Sequence, residues 1–210
     1  KLTSPVYIRG IGSKINAPSV GLYVDGVPFF EKSVFFFFFN EVDRIEVLRG
    51  PQGTLYGRNT MGGIINVYTK NPLVYEGGTL SATMANYGQA QLSGAYYGKV
   101  NNSFGYSFSG NYKHSDGFFK NDYTGNEADN LDAASGKLKL YWKMNSRFNA
   151  NLLVNYEYSD QGGYPYGLMD MTTGKIGNVN YNEYSSYRRG VLTSGLTLNY
   201  SFDNFLLKLV

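Results

Sequence analysis

The sequence predicts an all-β membrane protein: a large antiparallel transmembrane β-barrel, about seven strands of which are present, preceded by a small α+β domain. Three observations predict this. Residues 76–210 are built from period-two segments of roughly 9–12 residues, near the ~9–11 that cross a bilayer at a tilt. The connections between these segments run short, short, long, short, long, short, so that both long ones fall on one side. Residues 1–75 follow a different grammar, mixed in pattern and rich in glycine and turn signals.

Composition narrows the classes further. Charged residues are 17% of the 210 residues and aromatics another 17%, against roughly a quarter charged in soluble domains. The longest apolar run, VFFFFF at 34–39, is far short of the ~20 residues of a membrane helix. Cysteine is absent, which excludes a disulfide framework and a thiolate metal site. A net charge of +3 makes no case for nucleic acid. His114 is the only histidine, so a triad or a His metal cluster would rest on it alone. It stands at a strand end, where an interfacial or loop residue is expected. Asp116, Asp122, Glu127, Asp129 and Asp132 lack the spacing of a calcium loop. Neither catalysis, nor a cofactor, nor a metal is expected. The chain opens strand-like with KLTSPVYIRG, carries no signal peptide and ends in the unterminated strand FLLKLV. It therefore reads as an internal piece of a longer protein.

In the first part, strands are expected at 5–9, 20–24, 44–48 and 63–69, with a short helical turn within 54–59. VDG at 24–26 is an Asp-Gly hairpin signal. VDRIEVLRG sets Val42, Ile45, Val47 and Leu48 against Asp43, Arg44, Glu46 and Arg49.

The second part alternates almost throughout. Phe104, Tyr106, Phe108 and Tyr112 alternate with small and polar residues across 104–114. Leu138, Leu140 and Trp142 alternate with Lys137, Lys139, Tyr141 and Lys143; Leu152 and Val154 alternate with Asn151 and Asn155. Leu196 and Leu198 continue the pattern. The leucines, Trp142 and Val154 are expected to face lipid. Lys139, Lys143, Asn151 and Asn155 are expected to face a lumen. Connections at 87–89, 100–102, 145–146 and 203–204 are short, and those at 115–134 and 159–187 are long. If the strand starting at Thr79 rises from the periplasm, every periplasmic connection is short and both long loops lie outside, as in outer-membrane barrels. A soluble sandwich has no reason to sort its loops so. Seven strands cannot close, and an open edge is not viable in lipid, so the rest of the barrel is expected beyond residue 210.

The stretch EVLRGPQGTLYGRNTMGG at 46–63 holds five glycines and a proline. It lacks the Walker spacing, and no helix start follows its glycines as a dinucleotide loop requires. Its surroundings explain it better. YIRGIG at 7–12, YVDGVP at 23–28 and VDRIEVLRGPQGTLYGRNTMGGIINVYTK at 42–70 resemble, in order, the plug domain of TonB-dependent outer-membrane receptors. The resemblance covers about residues 1–72. SVFFFFFN at 33–40, with its phenylalanine run at 35–39, departs from that family's pattern.

The resemblance implies a barrel of about 22 strands with the plug in its lumen. On it, Gly50, Gly53, Gly57, Gly62 and Gly63 permit positive φ and close backbone approach, and Pro51 fixes a corner. Arg9, Arg44, Glu46 and Arg49 become candidate charge contacts, plug arginines of the family pairing with acids on the inner wall. Partners implied are the TonB complex, gripping a box N-terminal to Lys1, a chelate or other small substrate, and outer-membrane lipid. In the loop at 159–187, Tyr164, Tyr166, Tyr181 and Tyr184, followed by Arg188, suit a glycan or an anionic or aromatic chelate; an aromatic girdle is the alternative. LRGPQGTLYG is similar to siderophore and vitamin-type receptors rather than to glycan importers. The expected function is TonB-dependent uptake of an iron-siderophore-type chelate. The alternatives are glycan, haem or cobalamin uptake, a passive porin or adhesin barrel, and a soluble β-rich binding module.

Overall fold

The computed structural model describes residues 6–12, 18–29, 41–57, 59–183 and 185–210. Two short strands, β1 (Tyr7–Ile8) and β2 (Ile11–Gly12), pair through a tight turn. A four-stranded sheet follows, made of β3 (Val20–Val24), β4 (Val27–Phe29), β5 (Val42–Arg49) and β6 (Gly63–Thr69) in the order β4-β3-β6-β5. β3 and β6 run parallel, and the other pairings are antiparallel. A one-turn helix, α1 (Gly53–Tyr56), precedes β6. The Asp-Gly signal forms the turn it predicts: Asp25 and Gly26 both take positive φ, 51° and 88°, as a type I′ hairpin requires. The phenylalanine run at 35–39 lies outside the described residues.

The wall begins with β7 (Gly77–Ala85), β8 (Gln89–Lys99), β9 (Phe104–Ser115), β10 (Leu131–Lys143) and β11 (Phe148–Gly162). A small hairpin, β12 (Gly167–Met169) with β13 (Ile176–Val179), interrupts the wall. β14 (Ser186–Ser201) and β15 (Leu206–Leu209) complete a seven-stranded antiparallel meander in which each wall strand pairs with the next in the chain. β10 starts earlier and β11 ends later than the alternation indicates. Ala133, Ala134, Ser135 and Gly136 carry little strand propensity, yet they pair on both sides, with β9 and with β11. Sheet context overrides local preference there. The turn chemistry repeats on one side: Asn101 Oδ1 accepts the N–H groups of Ser103 and Phe104, and Asn145 Oδ1 those of Arg147 and Phe148.

Alternation separates the wall's two faces. Leu80, Leu92, Phe108, Leu138, Trp142 and Leu196 share the outward phase, and each is more than 40% exposed. So large an exposed apolar face is unusual for a protein surrounded by water and suits hydrocarbon. The inward phase is polar and covered, with Lys139, Asn151 and Asn155 all buried, as alternation predicts. Lys143 shares their phase but lies at the strand end, exposed.

The small sheet sits on this inward face. Leu22, Val24, Val27, Phe29 and Val67 form one apolar cluster with Leu153 of β11, which is 0% exposed. Leu153 is apolar at an inward position because its partner there is a hydrophobic face, not water. Gly195 of β14 lets Val27 approach closely; any Cβ at residue 195 would collide with the valine side chain.

Candidate functional site

The site is the seam between the small sheet and the wall. β10 alternates so that Lys137 and Lys139, two residues apart, point the same way, inward. Lys139 Nζ lies 3.0 Å from Asp25 Oδ2, with both side chains 7% exposed. It also donates to Thr69 Oγ1 at 2.8 Å. The same Asp25 carboxylate accepts the Thr69 N–H at 2.9 Å and the Thr69 hydroxyl at 2.6 Å. One buried group thus joins the β3–β4 turn, the end of β6 and a wall strand. Lys137 pairs with Glu41, just ahead of β5, and Glu41 also accepts the Ser109 hydroxyl of β9 at 2.7 Å. Charges so far from water are tolerable only when paired and hydrogen-bonded. Higher on the inward face, Arg189 Nη2 of β14 lies 3.7 Å from Glu157 Oε2 of β11, both mostly buried.

These plug-to-wall pairs are distinct from the arginine–acid contacts that the resemblance implies, whose wall partners are expected beyond residue 210. Among the described residues, the carboxylates stand on the small sheet and the cations on the wall. Arg44 lies on the exposed side of β5. Its Nε donates to Glu46 Oε1 at 2.8 Å, its Nη1 reaches Asp43 Oδ2 at 3.4 Å, and its guanidinium stacks 3.9 Å from the Tyr68 ring centre. The Glu46 hydrogen bond is the main cause that raises the Arg44 pKa, holding it charged. Arg49 is exposed at the end of β5, and Arg9 is exposed in the β1–β2 turn at φ 51°. Sequence reasoning missed Asp25, Glu41 and Lys137 as a site. The available signal was two lysines on the inward phase of a strand whose lumen is filled.

The glycine stretch is a closed loop. Gly50 N–H donates to Gly62 O and Gln52 N–H to Thr60 O, while the Gly62 N–H reaches Ser19 O at 2.9 Å. Gly63 is the tightest point, with φ at 132° and the Leu48 carbonyl where a Cβ would stand. Gly57, at φ 71°, turns the chain out of α1. Gly50 also has positive φ, Pro51 is exposed, and Gly62 packs close to Ile11 O. Gly53 departs from the expectation: it opens α1 without positive φ, and the nearest neighbour of a Cβ there is 4.0 Å away. A helical start needs no glycine.

On the outer side, the loop over 163–185 is braced by its neighbour. Asn121 Nδ2 donates to Tyr181 O at 2.8 Å, and Asp122 N–H to Val179 O at 2.8 Å. Tyr164 and Tyr166 stack at 5.7 Å, and the Tyr181 hydroxyl donates to Tyr164 O at 3.2 Å. Three of the four expected tyrosines therefore come together; Tyr184 lies outside the described residues. Arg188 does not share the lumen. It pairs with Asp160 at 2.7 Å on the outward phase, in line with Tyr156 and Leu192. Alternation puts Arg189, not Arg188, inside.

Comparison with known proteins agrees with this arrangement. Residues 2–64 match the TonB-dependent Receptor Plug Domain family. The chain is 45% identical over 73 residues to the pesticin receptor of Yersinia pestis, a match spanning 34% of this chain and 11% of that receptor. It is 34% identical over 93 residues to the vitamin B12 transporter BtuB of Vibrio cholerae, spanning 42% of this chain and 15% of that protein. The crystal structure of the ferric yersiniabactin uptake receptor FyuA from Yersinia pestis superimposes with a TM-score of 0.77 at 26% identity, covering 96% of this chain and 33% of FyuA. The ferripyoverdine receptor of Pseudomonas aeruginosa shares the fold, with a TM-score of 0.68 at 17% identity over 93% of this chain and 26% of that one. The chain spans a minor part of the length of each of these proteins. A plug sheet, seated on the inward face of a strand-by-strand wall with an apolar exterior, is what this chain shares with these TonB-dependent receptors of the bacterial outer membrane.

Proposed function

We propose that the whole protein imports a scarce nutrient across the outer membrane by TonB-dependent active transport, and that its cargo is an iron-siderophore-type chelate. The observation that carries the reading is the plug sheet fixed against the inner wall by two buried ion pairs, Asp25–Lys139 and Glu41–Lys137. A lumen filled in this way is closed to diffusion, so passage requires work on the plug. The outer membrane holds no nucleotide supply, and that work comes through the TonB complex. In this reading residues 1–75 act as plug and 76–210 as wall. Arg9, Arg44 and Arg49, with Glu46, meet wall strands beyond this chain. The Tyr164–Tyr166–Tyr181 group forms part of the outer rim that meets the cargo.

The likeness to a ferric yersiniabactin uptake receptor, at 26% identity over nearly the whole chain, supports a chelate. The match to a vitamin B12 transporter favours cobalamin as a second reading. The test is uptake by the full-length receptor in cells stripped of their own ferric-chelate receptors. Ferric siderophores should enter only with a proton-motive force and with TonB present. Entry of cobalamin but not of any ferric chelate would transfer the assignment to the second reading. Uptake indifferent to the proton-motive force would defeat energy coupling.

A further inference from the structure

We propose that Lys137 and Lys139 form a two-point clasp that keeps the β3–β4–β6 portion of the plug on the wall throughout transport, leaving β1, β2 and the loop at 50–62 as the parts that yield. This rests on the transport reading above and specifies which part of the plug moves.

Three separate ends of the small sheet converge on one wall strand. Asp25 belongs to the β3–β4 turn, Glu41 immediately precedes β5, and Thr69 ends β6; all three meet Lys137 or Lys139. Lys70, next in the chain, donates its N–H to Glu41 O at 3.0 Å, tying the two anchor points together. Beside the clasp, the plug and the wall share an apolar core, because Leu153 packs among Leu22, Val24, Val27, Phe29 and Val67. Val27 also seats against Gly195 of β14. Ionic and apolar anchors thus fall on β3, β4 and β6 and on Glu41, the residue that leads into β5. The loop at 50–62 is built differently. Among the described residues its hydrogen bonds run within itself or to Ser19, Tyr23 and Asn66 of the plug. Among the described residues, releasing it breaks contacts within the plug but uncovers no buried charge. Pulling out the clasped strands would strand two carboxylates and two ammonium groups, the most costly way to open the seam.

Two experiments on the full-length receptor test the clasp. A Cβ placed on Gly195 lies 3.1 Å from Val27 Cβ, a few tenths of an ångström inside the ~3.5–4.5 Å of a disulfide, so a small shift of β4 away from the wall closes the bridge once the valine methyls are gone. Val27→Cys with Gly195→Cys therefore provides a reversible staple between β4 and the wall. Energised uptake should be the same in the oxidised and reduced receptor. Uptake lost on oxidation and restored by reductant would overturn the proposal, since the stapled strands would then have to leave the wall. In the second experiment, Lys137→Met with Lys139→Met should admit a large antibiotic about tenfold faster than the parent, because both carboxylates lose their partners. Asp25→Lys with Lys139→Asp should return exclusion toward the parental level where Lys139→Asp alone does not. Unchanged exclusion in a fully assembled Lys137→Met/Lys139→Met receptor would overturn the clasp. If that variant fails to assemble, the staple decides. A parent receptor with no energised uptake would count against the transport reading alone, and the exclusion assay would still judge the clasp.

Discussion

The plug sheet carries two kinds of ion pair, and they differ in nearly everything except chemistry. Asp25–Lys139 is 3.0 Å long with both side chains 7% exposed, while Arg44–Glu46 is 2.8 Å long with side chains 55% and 43% exposed. Distance alone would rank the second pair higher. Burial reverses the order: exposed pairs are solvated whether made or broken, whereas a buried partner left alone has no water to turn to. Position adds to the contrast. The buried pair joins two sheets that are 114 residues apart in sequence (139 − 25). The exposed pair joins neighbours on one strand.

The sharpest way to break the comparison is to remove one member of the buried pair. Lys139→Met should destabilise the receptor by about 3–5 kcal/mol, read as a lowered denaturation midpoint in detergent. A loss below what an exposed pair gives would mean that water reaches the seam and that the two pairs are equivalent. Next, the apolar neighbour of the clasp should matter comparably. Leu153→Ala, at a position 0% exposed, should cost about 2–5 kcal/mol and should loosen the plug without altering any charge. A Leu153→Ala receptor with unaltered melting and antibiotic exclusion would show that the plug is held by charge alone.

The glycine loop sharpens the contrast between required and tolerated positions. Gly63→Ala forces a side chain into φ 132° and should cost at least about 1–3 kcal/mol from backbone strain. Gly53→Ala should instead be neutral or stabilising by up to ~1 kcal/mol, since it opens α1 with helical geometry. Equal damage from both substitutions, measured as folded receptor in the outer membrane, would mean that the loop senses any added volume. The smallest effect is expected at the exposed pair: Arg44→Ala should leave the melting midpoint of this part of the protein unchanged. A large loss would place a wall carboxylate against Arg44, as the transport reading expects from strands beyond this chain, and the two kinds of pair would then merge into one.

Much of this arrangement is legible in the sequence. Period two fixes which side chains share a face, so the outward leucines and Trp142 and the inward Lys139, Asn151 and Asn155 follow from counting residues along a strand. Asp25 and Gly26 announce their turn because few residues accept positive φ. Two turns on one side stay short because an Asx residue closes them, and Asn101 and Asn145 supply it. The plug motifs are readable because a chain folding back on itself in a confined lumen needs glycine at particular points, Gly63 above all. What the tertiary structure alone decided is which charges meet. Asp25 and Glu41 look like turn and loop residues, Lys137 and Lys139 look like the polar half of an alternating strand, and nothing local connects them. The arginines of β5 drew attention because they sit within a recognisable motif, yet both are exposed and neither meets a wall carboxylate among the described residues. Similarly, Arg188 and Arg189 are indistinguishable by composition, and only register against Asp160 and Glu157 sends one outward and the other into the lumen. Local rules set the direction of each side chain; the partner at the end of that direction comes from distant sequence, through packing that no short-range pattern encodes.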